Sequence, residues 1–126
     1  MVEIIVIGHG GYGEGVRTNL EMVTGVPENM HFLNFTKDQD RADLEAHMDE
    51  LLGELAEKEV LFCCDLPGAT PFQAAAIRTA ANEKYRTVVG LNQMAYMEMA
   101  MDSGKTAAEL AKRAVETTRE SVTEFP

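Results

Sequence analysis

The chain has 126 residues, in which 11 Lys and Arg stand against 21 Asp and Glu for a formal net charge of −10. That length suits one ordinary domain of ~100–150 residues, and so acidic a chain repels nucleic acid, whose binding needs clustered cations. With 45% hydrophobic and 25% charged residues, it can build a core and is not a disordered acidic tail.

The elements alternate along the chain. Residues 2–7 are a nearly continuous β-branched run, the pattern of a strand covered on both faces. These opening residues lack a basic region and a small-residue cleavage site, so no signal peptide is expected. Gly8-His9-Gly10-Gly11 ends the strand, and residues 14–23 read as a helix closed by Gly25 and Pro27. A second strand covers residues 30–35, followed by the polar loop Thr36-Lys37-Asp38-Gln39-Asp40. Leu44, Met48, Leu51, Leu52 and Leu55 then form one stripe of an amphipathic helix. Residues 59–64 are a third strand, stopped by Asp65-Leu66-Pro67-Gly68. Pro71 suits the first turn of a helix running to about residue 82. A fourth strand is predicted over residues 86–91, and helices over 94–101 and 106–121, separated by Asp102-Ser103-Gly104. Residues 122–125 are an optional last strand. The adjacent pair Cys63-Cys64 cannot form a disulfide framework and fits a reducing cytosol. No apolar run approaches the ~20 residues of a membrane span, so a cytoplasmic protein is expected.

Strands alternating with helices predict an open, mostly parallel four-stranded α/β sheet in three α/β/α layers, with residues 1–126 as one domain. Ligands of such sheets bind at the carboxyl ends of strands, where the strand order reverses. With order 2-1-3-4, the first strand lies between the second and third, and the loops after strands one and three share that crevice. These loops are also the most unusual segments of the chain. The first puts His9 among glycines that let a ligand approach the backbone. The second starts at Asp65 and runs into a helix N-terminus, where free N–H groups, the helix dipole and the Thr70 hydroxyl make an anion site. Asp65 is placed to accept a hydrogen bond from the imidazole across the crevice, fixing its tautomer and leaving the other nitrogen as nucleophile. Together these features suggest a transient phosphohistidine, formed by positioning without metal ligands or a cofactor. His31 and His47 read as structural.

Two other functions compete. Gly8, Gly10 and Gly13 fit the G-x-G-x-x-G dinucleotide pattern, but Asn34-Phe35-Thr36 supplies no acidic residue for a ribose. A receiver-like signalling module phosphorylated on Asp65 would need a metal-binding acidic pair after the first strand. Gly8-His9-Gly10-Gly11 has none.

Gly8-His9-Gly10, Asp65-Leu66-Pro67-Gly68-Ala69-Thr70-Pro71-Phe72 and Gly90-Leu91-Asn92 resemble the IIA component of mannose-family sugar phosphotransferase systems over about residues 2–120. Within that family the G-H-G opening looks most like the N-acetylgalactosamine type. The resemblance implies a phosphotransferase in which His9 receives a phosphoryl group from the phosphocarrier HPr on Nε2 and passes it to a IIB component. A membrane IIC/IID permease would be served indirectly. It further implies that Asp65 orients the imidazole, that Gly10, Gly68 and Thr70 bind the phosphoryl group, and that Asn92 belongs to a partner-facing or structural loop. A homodimer exchanging an antiparallel C-terminal strand is implied too, with residues 122–125 in that role. Ala69 stands where the family has a second glycine, so the loop must avoid a positive φ there, and Asn92-Gln93-Met94 replaces N-L-P. The HPr-dependent subunit of a dihydroxyacetone kinase would share the histidine chemistry. Met94, Met97, Met99 and Met101 read as helix packing, with a docking surface as the alternative. An acidic surface around His9 would favour a basic-faced phosphocarrier, while Glu45, Asp49, Glu50 and Glu54 read as a solvated helix face.

Overall fold

The computed structural model describes residues 1–102 and 104–126; Ser103, assigned above to the break between the last two helices, lies outside the described residues. Four strands form one parallel sheet: β1 (Glu3–His9), β2 (Met30–Phe35), β3 (Val60–Cys64) and β4 (Tyr85–Val89), in the order β2-β1-β3-β4. The helices are α1 (Tyr12–Val23), α2 (Arg41–Glu54), α3 (Thr70–Ala80), α4 (Gln93–Ala100) and α5 (Ala107–Ser121). The fold class and strand order are those read from the sequence.

Period-two alternation along the buried strands divides the core. Ile4, Val6, Leu61 and Cys63 pack with Val16 and Leu20 of α1, Tyr96 and Met99 of α4, and Leu110 and Ala114 of α5. Ile5, Ile7, Phe62 and Cys64 pack on the other face with Leu44 and Met48 of α2 and Ala74 and Ala75 of α3. The adjacent cysteines therefore lie in opposite core clusters. Burial pushes the Cys64 thiol up to about 12 and Cys63 well above its ordinary value, so neither is a reactive thiolate at neutral pH.

Local signals explain most element boundaries. Asp40 accepts from the Asp43 N–H while the Asp43 side chain accepts from the Asp40 N–H, a capping box that starts α2. Thr106 and Glu109 do the same for α5. Of the predicted stripe on α2, Leu44 and Met48 are wholly buried, whereas Leu51 and Leu52 are half-buried at its margin. The fourth strand begins at Tyr85 and ends at Val89, because Gly90 takes a φ of +80° and turns the chain out of the ladder.

Three expectations need correction. Residues 122–126 leave α5 without joining the sheet, and Val122 and Phe125 are exposed, so this chain alone forms no fifth strand. Glu45 and Asp49 are not merely solvated: Arg78 bonds Asp49 at 2.7 Å and Glu45 at 3.2 Å, tying α2 to α3. The methionines divide, with Met99 buried, Met97 half-buried, and Met94 and Met101 exposed.

Leu44→Ala should lower the unfolding free energy in urea by about 3 kcal/mol, the cost of a cavity under the sheet. Met22→Ala, at a site 89% exposed, should stay within about 0.5 kcal/mol of the parent.

Candidate functional site

From β1 the chain runs out to β2, then returns past β1 to β3, so the order of strand addition reverses between β1 and β3 while every strand stays parallel. Their ladder ends at Ile7 opposite Cys64, while β1 continues to His9, paired with Phe35 of β2. Where β3 turns away, the Asp65 side chain substitutes for the missing ladder carbonyl. Its Oδ2 accepts the His9 backbone N–H at 2.9 Å and lies 2.7 Å from His9 Nδ1. Its Oδ1 accepts the Leu66 N–H at 2.9 Å. One carboxylate thus fixes the histidine's backbone, its ring and the start of the next loop.

The electrostatics agree with that geometry. Burial alone would raise the Asp65 carboxyl, but the hydrogen bonds from His9 and Leu66 outweigh it and hold the group below the ordinary aspartate range. An ionised carboxylate only accepts, so Nδ1 carries the proton and Nε2 keeps its lone pair. The His9 side chain is 43% exposed and that of Asp65 only 11%. The Phe35 ring meets the imidazole edge to face with centroids 5.8 Å apart. Both Asp65 oxygens are engaged by N–H donors, which presents this carboxylate poorly as a phosphoryl acceptor in the receiver manner.

His9 opens into a cleft of about 410 Å³ lined also by Gly10, Phe35, Thr36, Lys37 and Gln39. Gly10 is therefore brought to the histidine, but its N–H is already given to the Phe35 carbonyl at 2.8 Å. Its φ of +55° is the conformation for which a residue lacking Cβ is needed. Gly68, with φ +75°, and Thr70, the first residue of α3, do not line this cleft, and no hydrogen bond joins either to His9. Ala69 sits at φ −81°, clear of the left-handed region, and caps α3 without a side-chain bond. Asn92 is a tertiary clasp. Its side chain accepts the Ala95 N–H at the start of α4 and donates to Ser121 Oγ at 2.7 Å, joining α4 to the end of α5. His31 bonds Glu3 at 2.8 Å, and His47 is exposed on α2.

Sequence reasoning missed three contributors. A Cβ on Gly8 would come within 2.6 Å of the Tyr12 ring and 2.8 Å of the Asp65 carboxyl carbon, so this glycine lets both pack over β1. Tyr12 is held in turn by the Tyr96 hydroxyl at 2.5 Å, and burial raises its own hydroxyl to about 12. The glycines of the G-x-G-x-x-G match thus have packing and turn reasons, Gly13 lying against Asn34. The third contributor is the loop 36–39. Its signal was the strand order itself, since β2 flanks β1 on the side opposite β3 and its following loop opens at the same edge.

Residues 3–116 match the family model described as the PTS system fructose IIA component, EIIA-man. The mannose-specific EIIAB component of the PTS system of Escherichia coli strain K12 is 35% identical over 126 residues, covering 97% of this chain and 39% of that protein. The chain therefore spans about two fifths of the length of the curated mannose-specific relatives it matches. The fructose-specific EIIA component of Bacillus subtilis strain 168 is 28% identical over 100 residues, covering 79% of this chain and 68% of that protein. A mannose/sorbose specific IIA subunit from Enterococcus faecalis shares the fold, with a TM-score of 0.92 at 23% identity over 98% of this chain and 94% of that one.

A depressed Asp65 carboxyl stabilises the fold fully above the unfolded aspartate range near pH ~4, and loses that contribution as pH falls through the lower folded value. Carbon-13 titration should find Asp65 below the ordinary range. His9→Ala, which removes the ring bond, should move it upward; an unmoved titration would detach the ring from the carboxylate.

Proposed function

The chain belongs to the EIIA-man family of sugar phosphotransferase system IIA components, and on that premise we propose that it is a phosphocarrier whose reacting atom is His9 Nε2. The observation that carries this reading is the clamped imidazole: Nδ1 lies 2.7 Å from a carboxylate, and the ring edge is left open to solvent. As the Nε2 lone pair forms its bond to phosphorus, the donor's N–P bond breaks and its electron pair returns to the donor imidazole. No proton passes between the two rings. Positive charge gathers on the His9 ring during attack, and the adjacent Asp65 carboxylate offsets it without reorganisation.

HPr is the proposed donor and a IIB component the proposed acceptor, with a IIC/IID permease downstream and the whole transfer in the cytoplasm. Thr70 and Gly68 support a phosphoryl site through the uncapped start of α3, where the dipole favours an anion. Approach of a partner would have to bring the phosphoryl group between that helix end and His9. Residues 1–126 act as one domain in this reading. The exposed tail at 122–126 is available for strand exchange in a homodimer, which would cover Val122 and Phe125.

Phosphoenolpyruvate, enzyme I and HPr should label the protein at an acid-labile, base-stable position. His9→Ala should abolish the label, and a label that survives would overturn the assignment. Asp65→Asn should slow transfer by roughly 10²-fold through loss of ring orientation; an unchanged rate would remove Asp65 from the mechanism.

A further inference from the structure

The loop after β2 has no part in the histidine–aspartate pair, yet Thr36, Lys37 and Gln39 supply half of the residues lining the cleft into which His9 opens. Its shape is fixed from within. The Thr36 N–H donates to Gln39 Oε1 at 3.0 Å, and the Gln39 N–H donates back to the Thr36 carbonyl at 3.1 Å. The Thr36 hydroxyl bonds Asp38 at 2.6 Å, which engages the carboxylate next in sequence to Lys37. Lys37 is exposed on this closed turn and, among the described residues, is the only Lys or Arg lining the cleft. Among the described residues its ammonium makes no ion pair, although acidic side chains outnumber basic ones by 21 to 11 in the chain.

We propose that Lys37 is a phosphoryl-binding residue, whose ammonium steadies the charged group once it sits on His9. This inference rests on the histidine reading above and adds the charge that such a product needs. A transferred phosphoryl group brings up to about two negative charges, and a chain of net charge −10 opposes that arrival. Asp65 favours the positive ring during attack but repels the phosphoryl oxygens. An exposed ammonium on this hydrogen-bonded turn offsets both, at a side of the cleft that neither Asp65 nor α3 lines. Because the ammonium gains its partner only when phosphorus is present, it shifts the equilibrium towards the phosphorylated protein. A residue that merely docked a partner would change the forward and reverse rates together and leave the equilibrium where it was.

The test is the equilibrium between purified phospho-HPr and this protein, read by phosphorus NMR at low and high salt. Lys37→Gln should lower the equilibrium constant about three- to tenfold at low salt, and less at high salt, as expected for a solvent-screened charge. Lys37→Arg should restore it. Lys58→Gln removes the same charge from the loop before β3, at the opposite end of the sheet, and should leave the constant within about twofold. An unchanged constant for Lys37→Gln, a change in rates alone, or an equal shift for Lys58→Gln would each overturn the proposal while His9 still labels. A parent protein that never labels on His9 would overturn the histidine reading and this inference together.

Discussion

The site depends on one hydrogen-bonded carboxylate. Asp65 sits where the β1–β3 ladder stops: its Oδ2 accepts the His9 N–H that β3 no longer pairs, and its Oδ1 accepts the Leu66 N–H at the start of the next loop. A carboxylate in that position must stay ionised to accept three N–H groups, and its depressed titration follows from them. The same bonds set the tautomer of His9 and aim its free nitrogen outward. Fold and chemistry are thus coupled at a single side chain: the parallel ladder delivers the histidine, and the end of the ladder delivers the group that orients it.

The surrounding structure protects this arrangement. Gly8 leaves room for the Tyr12 ring and Asp65 to pack over β1, and the Tyr12–Tyr96 contact fastens that ring to α4. Asn92 and Ser121 join α4 to α5, while Glu98 holds Arg113 at 2.6 Å and accepts from Thr117 at 3.0 Å. These contacts brace the sheet face that carries Tyr12. On the other face, Arg78 links α2 and α3. At the open edge of the sheet, His9, Gly10, Phe35 and the 36–39 turn line the cleft, and the start of α3 lies outside it.

Much of this was legible in the sequence, for physical reasons. Alternating β-branched runs and amphipathic helices carry periodicities that packing must obey, and the glycine-flanked His9 and the strand-ending Asp65 stand at positions that α/β topology reserves for ligands. The Asp40 and Thr106 caps were equally readable, since their bonds are local. Contacts set by tertiary packing were not. That Glu45 and Asp49 would bind Arg78, that Asn92 would clasp Ser121, and that Gly8 would lie beneath Tyr12 all depend on which helix lands beside which. The 36–39 turn was passed over because its residues look like an ordinary polar loop. Only the edge position of β2 makes it a wall of the site. Residues 122–126 carry a strand-like composition, but a strand needs a partner edge, and within one chain they find none.

The central claim is that Asp65 fixes His9 so that Nε2 is the atom that carries phosphorus. Phosphorylation of nitrogen-15 histidine-labelled protein by phosphoenolpyruvate, enzyme I and HPr tests it most directly, because phosphorus–nitrogen coupling reports which ring atom is bonded. Coupling to Nε2 of His9, with Nδ1 protonated beforehand, is the predicted result. Phosphorus on Nδ1, on His31 or His47, or on the Asp65 carboxylate would contradict it.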